Sequence, residues 1–178
     1  MIVVVIIGPI ASGKSTLGRA VAVELADRGT DSAVVDLDLV YEMLDPRGRS
    51  GVAKNDERLW SQSRRVAGRL AGTLLAEGRS VVAEGNFAGD QSLAEFEREL
   101  PAKVRLRLVV LDVDFETALR RTEADPSRGL SKDPVFLSRH YEAFSAQWQD
   151  REVLRLDTDA LSLAQATDAV ATSVSPKG

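Results

Sequence analysis

Gly8–Pro9–Ile10–Ala11–Ser12–Gly13–Lys14–Ser15 fits the pattern G-x-x-x-x-G-K-[ST]. Each part of that pattern has a chemical reason. Phosphate oxygens must come close to backbone amides, so the side chains are small, and Gly8 and Gly13 carry none. Lys14 is long enough to reach the β- and γ-phosphates of a nucleotide, and the Ser15 hydroxyl is a ligand for Mg²⁺. Ala11, Ser12 and Thr16 complete the cradle. The pattern follows an apolar run and opens a helical one, so a helix N-terminus adds its partial positive charge. This stretch predicts a site for the phosphates of a nucleoside triphosphate with Mg²⁺. No N-K-x-D guanine signature occurs. That argues against a GTPase and makes ATP the expected nucleotide.

Two acids stand at the end of the next apolar run, in VVDLDLVYEML. Asp36 and Asp38 fall at the carboxyl end of the second expected strand, the edge where open α/β sheets bind ligands. One carboxylate can hold water on Mg²⁺, and the other can orient or deprotonate an acceptor hydroxyl. A structural alternative is that one of them caps the helix expected from Leu39. The third run, SVVAEGNF, ends in Glu84–Gly85–Asn86. An acid at this point occupies the place of a Walker-B carboxylate, and Gly85 and Asn86 would face the acceptor.

The loop GPIASGKST followed about twenty residues later by D-x-D resembles the small P-loop kinases. These include shikimate, gluconate and adenylylsulfate kinases, chloramphenicol phosphotransferase and the kinase domain of polynucleotide kinases. The resemblance implies that Asp38 contacts the acceptor hydroxyl and that Asp36 assists Mg²⁺. RRTEADPSRGL is similar to the lid of these kinases, with the spacing from Arg121 to Arg128 that shikimate kinases use. It implies that Arg121 packs on adenine and that Arg128 reaches the transferring phosphate. A mobile loop that carries a guanidinium into the site neutralises charge and excludes water. By the same resemblance Asp157, in RLDTDALS, borders adenine; Arg139, in FLSRHYEAF on the next helix, could bind an acidic or phosphorylated acceptor, or ATP. Arg47, Arg49, Arg58 and Trp60 fall where the group places its acceptor segment. His140, the only histidine, is expected to pack or to face solvent. Two departures bear on the acceptor. Glu84 replaces the common D-x-x-F acid, and the Gly-Gly-Gly run of shikimate kinases is missing, which counts against shikimate. No gluconate-kinase signature marks the acceptor segment.

These residues need a frame. Apolar runs at Ile2–Ile7, Ala33–Val35, Ser80–Ala83, Val104–Leu111 and Val153–Leu156 do not alternate with polar residues. That predicts strands covered on both faces, as in a parallel sheet. Arg105 and Arg107 mark an exposed start to the fourth. Helical patterns lie between them at Lys14–Arg28, Asp56–Glu77, Gln91–Leu100, Phe115–Glu123, Pro134–Gln149 and Leu161–Val174. The alternation predicts a three-layer α/β sandwich. The resemblance adds a five-stranded parallel sheet in order 2-3-1-4-5. One domain is expected over residues 1–178, with an acceptor segment at about 38–60 and a lid at about 124–133.

Composition is that expected of an ordinary soluble globule. The chain has 178 residues, 44% hydrophobic and 28% charged, with net charge −4. A mildly acidic chain argues against nucleic acid as a partner. With no cysteine, disulfides and thiolate metal sites are excluded. MIVVVII lacks a basic flank and is too short for a signal peptide or a membrane span, so no membrane partner and a cytoplasmic location are expected. The predicted function is ATP- and Mg²⁺-dependent transfer of the γ-phosphate to a hydroxyl of a small-molecule acceptor, by a monomer or homodimer. Three alternatives stay open: a nucleoside or nucleotide kinase, an antibiotic-modifying phosphotransferase, and an ATP-binding protein without transfer activity.

Overall fold

The computed structural model describes residues 1–45, 56–126, 130–145, 147–148 and 152–174. The strands are β1 (Ile2–Ile7), β2 (Ser32–Asp36), β3 (Ser80–Glu84), β4 (Arg105–Asp112) and β5 (Leu154–Asp157). The helices are α1 (Lys14–Asp27), α2 (Leu37–Leu44), α3 (Glu57–Ala76), α4 (Asp90–Glu97), α5 (Phe115–Ala124), α6 (Pro134–Ser145) and α7 (Leu163–Val174). All strand pairs are parallel, in the order β2-β3-β1-β4-β5. This is the expected sheet.

The unbroken apolar run of β1 follows from burial on both sides. Val3, Val5 and Ile7 enter one core with Tyr41, Trp60, Ala67, Phe87 and Phe96. Ile2, Val4 and Ile6 enter another with Leu17, Val21, Val170 and Val174. Successive strand residues face opposite ways, so α3 and α4 cover one face and α1 and α7 the other. A third, smaller cluster joins Ala11, Ala118 and Leu137 beside the phosphate loop. Arg105 is exposed at the start of β4, as its charge requires.

Several boundaries differ from expectation, among them the end of α6, at Ser145 against an expected Gln149. α2 begins at Leu37 rather than Leu39, because Asp36 is its N-cap and accepts from the Asp38 and Leu39 amides. α7 begins two residues after Leu161. Ser162 and Gln165 form a reciprocal capping box there, with the Ser162 amide on Gln165 Oε1 and the Gln165 amide on Ser162 Oγ. α4 ends at Glu97, short of the expected Leu100. No helix among the described residues is long and apolar enough to cross a membrane.

Candidate functional site

The turn between β1 and α1 is shaped by backbone demands. A Cβ at Gly8 would collide with Ser12 Oγ and lie 3.0 Å from Leu111 Cβ, so close approach requires glycine there. Gly13 has open space instead, but its φ of 91° is a left-handed conformation. Ala11 also takes a positive φ, 63°. That conformation costs a non-glycine residue about 1–2 kcal/mol. Hydrogen bonds to the neighbouring carbonyls offset a cost of that size. Tyr141 Oη donates to the Ile10 carbonyl at 2.9 Å, and Arg121 Nη1 donates to the Ala11 carbonyl at 3.2 Å. Gly13, as N-cap, has no side chain to cap the first amides of α1, so the helix end presents donors suited to an anion. Lys14 Nζ lies over the loop and donates to the Gly8 and Pro9 carbonyls, both at 3.0 Å.

Beside the loop, Asp36 and Glu84 close the ends of β2 and β3 in direct register. Glu84 is 1% exposed. Its carboxyl is pushed up to about 7, chiefly by burial and then by the neighbouring Asp36, while a Ser15 hydrogen bond and the Lys14 charge pull the other way. Its Oε2 has no hydrogen-bond partner. Gly18 of α1 packs beside this side chain, and a Cβ there would lie 3.4 Å from Glu84 Cγ, an ordinary van der Waals contact. Asp36 spends Oδ1 on the α2 cap, at 2.8 Å from the Asp38 amide and 3.2 Å from that of Leu39. Asp38 stands half-buried in the first turn of α2.

The Ser15 hydroxyl, the buried orphaned oxygen of Glu84 and the adjacent Asp36 are a hard oxygen donor set. Among the described residues no group of three or more His, Cys, Asp or Glu gathers into a metal site. Two carboxylates and a hydroxyl suit Mg²⁺, which keeps several waters and shares phosphate ligands rather than sitting in an all-protein cage.

On the other flank of the loop lies a cavity of about 380 Å³, lined in part by Ala11, Gly13, Thr16, Leu111, Arg121 and Thr158. Arg121 forms one of its walls and is fixed from three directions. It donates to the Ala11 carbonyl, to Thr158 Oγ1 at 3.2 Å and to the Thr158 carbonyl at 3.1 Å, and it pairs with Asp159 at 3.6 Å. Asp157 shapes this corner rather than lining it. Its Oδ1 accepts from the Asp159 and Ala160 amides at 2.8 and 3.3 Å. In the D-T-D stretch it is therefore Thr158 and Asp159 that hold the arginine.

The other candidates are more scattered. Arg58 is exposed in the first turn of α3. Gly85 is buried at φ 140°, and a Cβ there would lie 2.5 Å from Leu37 Cβ. The tight seat of β3 on α2 accounts for that glycine. Asn86 is half-buried next to it. Arg139 is exposed and lines a groove with Phe115, Pro134 and Ser138. His140 is half-buried, and burial together with the Lys14 charge lowers its pKa to about 4, so it is neutral. Arg128, Arg47 and Arg49 lie outside the described residues, as do parts of the expected lid and acceptor segment.

Two residues escaped sequence reasoning. Tyr141 reaches the phosphate loop across 131 positions, and no local pattern announces such a contact. Arg64 is 1% exposed on α3 and paired with Glu57 and with Glu95, the latter at 2.6 Å. A heptad-spaced Glu57–Arg64 pair was the only signal for it.

A family model described as an AAA domain matches residues 3–140. Solved structures show the same fold across nearly the whole chain. A sugar kinase from Janibacter sp. HTCC2649 superposes with a TM-score of 0.73 at 20% identity, covering 97% of this chain and 93% of its own. A gluconokinase from Sinorhizobium meliloti 1021 gives 0.65 at 18%, with 97% and 95% covered. The APS kinase of Mycobacterium tuberculosis, in complex with AMPPNP and APS, gives 0.66 at 19%, with 98% of each chain covered. The comparison with curated proteins found no match.

Proposed function

The chain belongs to this AAA domain family, and from that premise we propose that it is a small-molecule kinase moving the γ-phosphate of ATP to an acceptor hydroxyl. One observation carries the reading. The uncapped start of α1, the Lys14 ammonium, Ser15 and the side-by-side Asp36 and Glu84 all converge at the carboxyl edge of the sheet. Asp38 follows two residues after Asp36, at the start of α2. Phosphate-binding donors, a hard-cation donor set and a candidate base at one edge are what phosphoryl transfer requires.

In this reading the Gly8–Thr16 backbone and Lys14 bind the phosphates, and the cavity beside Arg121 takes the base. Ser15, Asp36 and Glu84 would hold Mg²⁺, which supplies neutralising charge to the phosphate oxygens. Asp38 orients the acceptor hydroxyl and accepts its proton as its oxygen attacks the γ-phosphorus. Arg128 supplies a guanidinium to the transferring group. The kinases that share the fold support the reaction class, and they include one solved with a nucleotide analogue.

The test is ADP release with Mg²⁺-ATP across sugars, sugar acids, nucleosides, adenylylsulfate and hydroxylated antibiotics. The expected result is release that depends on one acceptor class. Tight ATP binding with no acceptor-dependent release from any class would favour a nucleotide-binding protein without transfer activity.

A further inference from the structure

The phosphate loop is held from outside by a residue that no sequence motif marks. Tyr141 Oη donates to the Ile10 carbonyl at 2.9 Å. One residue on, Arg121 Nη1 donates to the Ala11 carbonyl at 3.2 Å. Two successive peptides of the loop are thus gripped by α6 and α5. Between them stands Ala11, the only non-glycine with positive φ among the described residues.

The direction of these bonds has a consequence. In a trans peptide the carbonyl and the following N–H point opposite ways, and the described chain has no cis peptide. A hydroxyl that holds the Ile10 carbonyl therefore also fixes the Ala11 N–H, which points away from Tyr141. The Tyr141 ring is itself immobilised. It meets Phe115 edge-on at 5.8 Å and 86° and packs on the cluster of Ala11, Ala118 and Leu137. Its ring is seated by residues of α5 and α6 as well as by Ala11 of the loop.

We propose that Tyr141 is a positioning residue of the nucleotide site, whose hydroxyl fixes the Ile10–Ala11 peptide so that the Ala11 amide is presented to the phosphates. The proposal rests on reading Gly8–Thr16 as the phosphate site. It also couples that site to the α5–α6 pair, because any displacement of α6 carries the Ile10 carbonyl with it.

Tyr141→Phe removes the hydroxyl and keeps the ring, so the aromatic packing survives. Mg²⁺-ADP binding by calorimetry, the ³¹P resonance of the bound β-phosphate and thermal unfolding are measured on both proteins. The dissociation constant is expected to rise about five- to tenfold, the loss of one hydrogen bond. The β-phosphate resonance is expected to move, while Tm stays within about 4 °C of wild type. An unchanged dissociation constant and resonance in the variant, with wild type binding normally, would overturn the positioning role alone. Wild-type protein that binds no ADP would overturn the phosphate-site reading, and this proposal with it.

Discussion

In the proposed reading, the nucleotide side of the site and the acceptor side are built from different materials. On the proposed nucleotide side, Gly8, Ala11 and Gly13 work through backbone shape, and Tyr141 and Arg121 hold the carbonyls of Ile10 and Ala11. On the proposed acceptor side, Asp38 and Arg58 offer side chains on the first turns of two helices, and Asn86 offers one in the loop two residues past β3. Backbone amides read only the shape and charge of phosphate, which every substrate of such a kinase shares. Side chains read one particular acceptor. The nucleotide side can therefore be recognised from a motif, while the acceptor side is specific to this chain.

Four substitutions press on that division, taken from the largest effect to the smallest. Asp38→Asn acts on the acceptor side alone. Transfer should fall by about 10²- to 10⁴-fold while the ADP dissociation constant, measured by calorimetry, stays within about twofold. If affinity falls in parallel with transfer, the two sides are not separable at Asp38. Lys14→Ala acts on the nucleotide side and should fail in the opposite manner, losing about 10²- to 10³-fold in transfer and weakening ADP binding in the same titration.

Gly85→Ala sharpens the boundary between the two. The added Cβ meets Leu37 at 2.5 Å on a backbone with φ of 140°, so a cost of about 1–3 kcal/mol follows. Tm should drop by about 3–10 °C, and acceptor KM should rise because α2 carries Asp38. ADP affinity should not move, and its loss would place Gly85 on the nucleotide side instead.

Glu84→Gln is read last, as a pH profile of stability rather than as a rate. Burial and Asp36 raise the Glu84 carboxyl from 4.5 to about 7, so folding favours its neutral form. That stabilisation is complete below the unfolded value near 4.5 and is lost as pH rises through 7. Glutamine mimics the neutral acid at every pH. In thermal melts without nucleotide or metal, the two proteins should match near pH 4.5, and wild type should become the less stable by pH 8. A constant difference across that range would show that Glu84 does not titrate there.

How far the sequence alone reached follows the same division. β1, β3 and the second half of β4, Leu108–Leu111, were legible because burial on both faces leaves an unbroken apolar run, and Gly8–Ser15 because its demands are local. Asp36 was legible as an acid at a strand end. Its capping role at Leu37 depends on a backbone turn that spacing alone does not select between Asp36 and Asp38. In the D-T-D stretch the charged residue drew attention, while Thr158 makes the bonds to Arg121. Gly85 looked like an acceptor contact, and the nearness of Leu37 gives it a packing reason that only the fold reveals. Tyr141 and Arg64 were missed because each has a partner on another element, in the case of Tyr141 far along the chain.

The central claim is that the γ-phosphate goes to an organic hydroxyl and not to water. The most direct measurement follows γ-labelled ATP with Mg²⁺, the protein and the best acceptor from the panel, separating phosphate ester from inorganic phosphate over time. Phosphoryl transfer at this site predicts label accumulating in an ester of the acceptor, with free phosphate a minor product. Label appearing only as inorganic phosphate, at a rate indifferent to every acceptor, would contradict it.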